Sequence, residues 1–285
     1  MQISIITPSF RASQWLRLCI ASVADQKGVE VEHIVQDSCS DDGTQDWLPK
    51  DARVKAFIEK DSGMYDAVNR GFKRASGQIL AYLNCDEQFL PGALKKVYDY
   101  FESHPEIDVL VADAIVTDSD GNYVCSRLGL RPYQHALWVA FPVLTCALFI
   151  RRRVLDQGVY IDTQWKDLGD LFWVMDFMKR GLKIGVLPEV TSVFADTGEN
   201  MNLKPNAIRE KQVKWEMSPR WVRLCRFPIL IHNRLRLFAR GGLFMKPFDY
   251  SIYTRANPDR RVVKRAENPT SFWRGRTSSA FGKIP

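Results

Sequence analysis

The run Ile79-Leu80-Ala81-Tyr82-Leu83, entered from Gly77 and halted by Asn84, Asp86 and Glu87, restricts the fold more than any other stretch. A short unbroken apolar segment between turn residues has no polar face to offer water. It reads as a strand buried on both sides, as in a parallel sheet. In open α/β sheets, ligands bind beyond the carboxyl ends of the strands. Asn84-x-Asp86 stands at such an end. Two oxygen-bearing side chains two residues apart can hold a hard divalent cation there, and the cation a diphosphate. A polar turn before a helix starting near Pro91 accounts for the same residues.

The preceding segments repeat the arrangement. Gln2 to Thr7 is a β-branched, apolar strand stopped by Pro8-Ser9. Leu16, Cys19, Ile20 and Val23 recur at helical spacing after Ser13, a plausible N-cap. Glu32 to Gln36 is a second strand, so a right-handed parallel β-α-β unit is expected. Asp37 follows at its end, placed to accept a hydrogen bond from a base N–H; an Asx-turn leading to a helix cap at Asp42-Gly43-Thr44 explains it equally. Val54 to Ile58 is a third strand, followed by Glu59, Lys60 and Asp61. Met64 to Ala75 has helical spacing, with Asp66 and Asn69 near its start, where free N–H groups favour anions. Four strands thus deliver Pro8-Ser9, Asp37, Asp61 and Asn84/Asp86 to one edge, which argues for a nucleotide pocket.

Further on, Gly92 to His104 reads as an amphipathic helix, Asp108 to Ala112 as a strand, and Asp118 to Asn122 as a hairpin turn. Ala136 to Ile150 is apolar but only 15 residues long and interrupted by Pro142. A membrane span needs roughly 20, so buried core is expected. From Asp170 an apolar helix runs to a Lys179-Arg180-Gly181 stop. Asp170 is at minimum a capping carboxylate.

Charge divides the chain. Net charge is +7, yet residues 203–285 hold 19 Lys+Arg against 5 Asp+Glu, leaving the remainder acidic. The expected organisation is a domain over 1–205 and a basic, aromatic-rich, helical extension over 206–285. Trp215 to Arg240 mixes arginines with Trp221, Leu224, Phe227, Ile231, Leu235 and Phe238. That composition suits an interfacial helix on an anionic membrane, or a helix packed on the domain with a solvated basic face. Asn257 to Arg276 reads as polar, basic and mobile in places. Six scattered cysteines without a Cys-x-x-Cys pair, and no secretory signal, point to reduced thiols in the cytoplasm. Peripheral attachment to the cytoplasmic face of the inner membrane follows from the tail. No helix-turn-helix, zinc-finger or RNA-binding sheet signature supports a nucleic-acid partner.

Gly63-Met64-Tyr65-Asp66-Ala67-Val68-Asn69-Arg70-Gly71, Ala75-Ser76-Gly77 and Asn84-Cys85-Asp86-Glu87, taken together with Asp37, Ser40, Asp42, Gly43 and Thr44, resemble glycosyltransferase family 2 over roughly residues 1 to 200. The resemblance implies a GT-A, Rossmann-like α/β fold with a mixed, mainly parallel sheet. It implies an inverting, metal-dependent transferase of the bacterial surface-polysaccharide type, moving a sugar from a nucleotide-diphosphate donor to a glycan acceptor, lipid-linked if the tail binds membrane. Nucleotide-sugar contacts are then expected from Thr7, Pro8, Ser9, Asp37, Asp61, Asn69, Asn84 and Asp86. Mn²⁺ or Mg²⁺ is expected on Asp86 with Asn84. Asp170 is the implied general base, with Asp167 as the alternative and Gly169 where many relatives carry a second acid. Thr145-Cys146 replaces the family's His-Gln, and Asp196-Thr197-Gly198 its distal His, so neither an acceptor contact nor a His ligand carries over. The competing readings are a nucleotidyltransferase, for which Pro8-Ser9-Phe10-Arg11 is a poor phosphate loop, and a non-catalytic basic binder of membranes or nucleic acid.

Overall fold

The structure is a computed structural model that describes residues 1–198 and 205–273. Its elements, in order, are β1 (Ile3–Ser9), α1 (Ser13–Ala24), β2 (Val31–Asp37), α2 (Thr44–Trp47), β3 (Lys55–Ile58), α3 (Met64–Arg74), β4 (Ile79–Tyr82), β5 (Gln88–Phe89), α4 (Ala93–Ser103), β6 (Val109–Asp118) and β7 (Tyr123–Arg127). Then come α5 (Gln134–Leu137), β8 (Leu148–Arg151), α6 (Arg152–Asp156), α7 (Gly169–Lys179), β9 (Ile184–Asp196), α8 (Pro205–Met217), α9 (Arg220–Leu224), α10 (Arg226–Ala239), β10 (Phe248–Thr254) and β11 (Asn257–Ala266).

Nine strands form one sheet in the order β3-β2-β1-β4-β8-β6-β9-β5, with β7 beside β6. The ladders β3-β2, β2-β1, β1-β4 and β6-β9 are parallel, and β8 pairs antiparallel with both β4 and β6. Strands β1, β2, β3, β4, β6 and β9 therefore run one way, and β5, β7 and β8 the other. The expected mixed, mainly parallel α/β sheet is what these residues build. All seven residues of β1 and all four of β4 are buried, as unbroken apolar runs between two layers require. Two apolar layers sandwich the sheet: Ile6, Leu80, Phe72 and Trp173 on one side, and Ile3, Ala81, Phe89 and Phe149 on the other. Ala136 to Ile150 contributes α5, a 3₁₀ turn and β8 to this core rather than a membrane span, and among the described residues no helix is long and apolar enough to cross a membrane.

The tail departs from expectation. Its helices α8 to α10 are present, but residues 248–266 form an antiparallel hairpin, β10-β11, whose second strand begins the stretch Asn257 to Arg276 that reads as polar and mobile in places. Composition missed it because the hairpin is held by contacts remote in sequence. Arg261 donates to both oxygens of Asp25 (2.5 and 2.7 Å) and to the carbonyl of Phe89 (3.0 Å), while Tyr253 exchanges two hydrogen bonds with Gln88. The part of the tail beyond residue 273 lies outside the described residues.

The seat of α3 on β1 depends on Gly71. A Cβ there meets the Ile6 side chain well inside van der Waals contact. Gly71→Ala is expected to destabilise the protein by about 1–3 kcal/mol through overpacking, read as a lower calorimetric melting temperature. An unchanged melting temperature contradicts this packing.

Candidate active site

The carboxyl ends of β1 to β4 form one rim. Ser9 pairs with Asp37 across β1-β2, the Ser38 N–H donates to the Ser9 carbonyl (2.9 Å), and the Glu59 N–H donates to the Asp37 carbonyl (3.0 Å). The loops beyond β1 and β2 are interlocked: the Arg11 guanidinium forks onto Asp41 (2.6 and 2.7 Å), and the Arg11 and Ser13 N–H groups donate to Ser40 Oγ and Asp42. Arg11 (φ 50) and Cys39 (φ 55) both sit in the left-handed region that non-glycine residues avoid. Such strain gathers at functional loops.

At the end of β4 the polar groups outnumber their partners. Among the described residues, Asn84 Oδ1, Glu87 Oε1 and, at the end of β1, Ser9 Oγ are buried without a hydrogen-bond partner. Glu87 is 1% exposed, and its other oxygen accepts the Asn84 N–H (2.8 Å). Asp86 is half-buried beside it. Burial pushes both carboxyls up, and the charge of Asp86 adds to the effect on Glu87. Orphaned buried oxygens cost free energy unless something binds them. Two carboxylates and an amide oxygen are a hard-cation donor set, completed in such sites by substrate phosphates and water. Among the described residues no group of three or more His, Cys, Asp or Glu forms a metal cage. A site completed by phosphate oxygens needs none.

Asp170 lies on the second residue of α7, and three aromatic rings fix that helix over β4. Trp173, one turn on, packs on Phe72 of α3 (5.7 Å) and Tyr82 of β4 (6.4 Å). Asp170 Oδ1 accepts the Leu171 N–H (2.8 Å) and the Tyr65 hydroxyl (3.3 Å). No donor among the described residues reaches Oδ2. Burial pushes Asp170 up to about 6, against the pull of those two hydrogen bonds. The charge of Asp170 acts on Glu87 and on Tyr82, so α7 brings its carboxylate toward the end of β4. Gly169 has a steric reason to be glycine: a Cβ there comes within 2.6 Å of the Tyr65 ring. The position of the missing second acid is taken up by that ring.

The other expected site residues divide. Pro8 and Ser9 stand at the rim, both buried. Asp61 is half-buried at the end of β3, and its carboxylate accepts the Gly63 N–H (2.9 Å). Asp37 is fully buried, and each oxygen accepts from Ser40, from Oγ (2.7 Å) and from N (2.8 Å), a local side-chain-to-backbone cap reaching three residues on rather than the two of an Asx-turn. The side chains of two residues are elsewhere. Thr7 points into the β1-β2 layer, with its hydroxyl 2.9 Å from His33 Nε2, and does not face the rim. Asn69 uses both ends of its amide on the backbone of Ile161 (2.7 and 3.1 Å) and ties α3 to the segment leading into α7. Asp167 has its carboxylate on Asn206 (2.5 Å). Glu87 and Tyr65 were not expected as site residues, although both stand inside the matching motifs; the signal was a third oxygen ligand directly after Asn-x-Asp.

The model of glycosyl transferase family 2 matches residues 4–159. TuaG of Bacillus subtilis, named for glycosyl transfer in teichuronic acid biosynthesis, is 34% identical over 103 residues, covering 34% of this chain and 41% of TuaG. Residues 1–349 of TarS from S. aureus, solved with UDP-GlcNAc, superpose with a TM-score of 0.56 at 18% identity, covering 84% of this chain and 73% of that one. The mannosyltransferase PcManGT of Pyrobaculum calidifontis, in complex with GDP-Man and Mn²⁺, gives a TM-score of 0.54 at 14% identity, with 84% and 79% covered. These likenesses establish the fold. The chain spans less than half of TuaG and of the longer TarS chain, 41% and 46%.

The Asp86–Glu87 pair titrates in the folded protein between about 6 and about 8, above ordinary carboxylates. The native state therefore binds these protons more tightly than the unfolded chain, so stability falls as pH rises through that window and returns below it. In cation-free buffer, Glu87→Gln, which has no proton to lose, should gain melting temperature relative to wild type as pH rises from about 6 to about 8. Parallel melting curves for the two proteins across this range contradict a strained acidic pair.

Proposed function

This chain belongs to glycosyl transferase family 2 and has its GT-A fold, and from that premise we propose that it transfers a sugar from a nucleoside-diphosphate donor to a hydroxyl of a glycan acceptor in bacterial polysaccharide biosynthesis, with inversion. The observation that carries the reading is the meeting of Asp86, Glu87 and Asp170 over the end of β4 beside unpartnered Asn84 and Ser9 oxygens. Asp86 and Asn84, with Glu87, would hold Mn²⁺ or Mg²⁺. A bound ion supplies Lewis-acid neutralisation of the departing diphosphate. Ser9 Oγ offers the donor a hydrogen-bonding group at the end of β1. Asp37 keeps lone pairs beyond the two that Ser40 uses, with which it can accept from a base N–H. Asp170 Oδ2 takes the proton of the acceptor hydroxyl. The acceptor oxygen bonds to the anomeric carbon as the carbon–oxygen bond to the diphosphate breaks on the opposite face. A base with a pKa of about 6 is stronger than a free carboxylate yet largely ionised at neutral pH. The nucleotide sugars bound in TarS and PcManGT are the donor class this supports.

With radiolabelled UDP- and GDP-sugars and Mn²⁺, Asp170→Asn should lose at least about 100-fold in turnover with donor binding retained. Asp86→Ala should lose its response to Mn²⁺. Full-rate transfer by the Asp170→Asn protein contradicts the base role, and undiminished Mn²⁺ dependence in Asp86→Ala contradicts the cation site.

In this reading residues 1–205 are the donor-binding and catalytic domain, and the extension from 206 meets an anionic membrane carrying a lipid-linked acceptor. Its support is the orientation of α10. A helix on a protein surface normally turns its apolar face inward. Here Arg240 is drawn inward to Asp113 (3.0 Å) and Arg236 to the Arg131 carbonyl (2.6 Å). Phe227, Ile231, Leu235 and Phe238 face outward, each more than half exposed. Between Glu216 and Asp249 the chain has no acidic residue, and Arg220, Arg234 and Lys246 are exposed. An apolar stripe among charges of one sign fits anionic lipid headgroups, at the cytoplasmic face of the inner membrane in this account. Phe227→Asp with Ile231→Asp should abolish co-flotation with phosphatidylglycerol vesicles and leave melting temperature near wild type. Equal flotation of the double variant contradicts docking through α10.

A further inference from the structure

The loop that leads into α7 is held by a carboxylate from another helix. Glu210 of α8 is 7% exposed. Its Oε1 accepts the N–H of Lys166 (2.7 Å), and its Oε2 accepts those of Asp167 (3.0 Å) and Leu168 (2.9 Å). Asn206 donates both to Glu210 (3.0 Å) and to the Asp167 carboxylate (2.5 Å). A helix begins with N–H groups that lack intrahelical partners. The N-cap of α7 is Leu168, whose side chain has nothing to accept with. Glu210, 42 residues away, instead accepts from the N-cap N–H itself and from the two N–H groups before it, closing a nest of three consecutive N–H groups just ahead of α7.

The same segment is tied to the site through Tyr65, whose hydroxyl donates to the Asp167 carbonyl (3.3 Å) and to Asp170 Oδ1 (3.3 Å). We propose that Glu210 is a positioning residue for Asp170: it fixes the backbone of residues 166–168, sets where α7 begins, and places a carboxylate near that of Asp170. The extension is then part of the catalytic machinery as well as a membrane contact. The proposal rests on reading Asp170 as the base. The groups that face Asp170 are Tyr65 from α3, Tyr82 from β4, Glu87 from the turn after β4, the Leu171 N–H from its own helix, and Glu210 from α8. Glu210 and Glu87 are the two carboxyl groups among them, and Glu210 is the one no step of transfer uses.

The test uses the full chain in cation-free buffer, with ¹³C-labelled aspartate and hydrogen exchange. In Glu210→Gln the N–H groups of Lys166, Asp167 and Leu168 should exchange faster by about tenfold or more, having lost a charged acceptor. The Asp170 carboxyl should titrate at lower pH than in wild type, because a nearby negative charge is gone. Glu210→Asp keeps the charge on a shorter arm; its exchange should rise while its Asp170 midpoint stays near wild type. Unchanged exchange in Glu210→Gln overturns the proposal. So does an Asp170 midpoint that stays put in Glu210→Gln or falls equally in both variants, since Glu210 is then a local cap alone. Neither readout needs turnover, so a failure of the base reading in the Asp170→Asn assay is distinguishable from a failure here.

Discussion

Negative charge crowded into poorly hydrated space at the end of β4 is the constraint around which the rest of the structure is arranged. Asp86, Glu87 and Asp170 are each pushed toward the protonated form by burial, and the charges of Asp86 and Asp170 make Glu87 harder still to ionise. A chain gains nothing in stability from such a cluster. It persists because the surrounding packing over-determines it: the rings of Phe72, Tyr82 and Trp173 clamp α7 between α3 and β4. Under the proposed function, such a rim is where a cation would meet the donor's diphosphate.

The loops around that rim pay for their shape locally. Arg11 and Cys39 take left-handed backbone angles, and Asp37, Ser40, Asp41 and Asp42 bind the two loops to each other. Behind them His33 is buried against Thr7, and burial pushes its pKa down to about 3, so it stays neutral and serves as a strand-to-strand contact. Rigidity of the rim therefore comes from hydrogen bonds between loops, and rigidity of Asp170 from aromatic packing and from Glu210.

What was legible in the sequence follows from how local each signal is. The strand Ile79 to Leu83 announces burial in its own composition, and α3 and α7 announce themselves by spacing. The sheet edge could be read because consecutive strands end in polar residues. Side-chain direction could not. Thr7 and Asn69 lie in the expected segments, yet Thr7 turns to His33 and Asn69 to Ile161, and those partners are 26 and 92 residues away. The hairpin β10-β11 was missed for the same reason: Arg261 finds Asp25 at a separation of 236 residues, so its strand carries a basic composition that reads as a solvated tail. Glu87 was overlooked because a carboxylate that ends a motif looks like surface until its unpartnered oxygen is found buried.

The central claim is that the acidic groups at the end of β4 receive a cation and, through it, a nucleoside diphosphate. Anomalous scattering from Mn²⁺ in crystals grown with UDP tests it most directly. The account predicts a manganese peak within about 2.5 Å of an Asp86 carboxylate oxygen, in contact with diphosphate oxygens at the carboxyl ends of β1 and β4. A nucleotide bound on another face, or manganese bound away from Asp86, contradicts it.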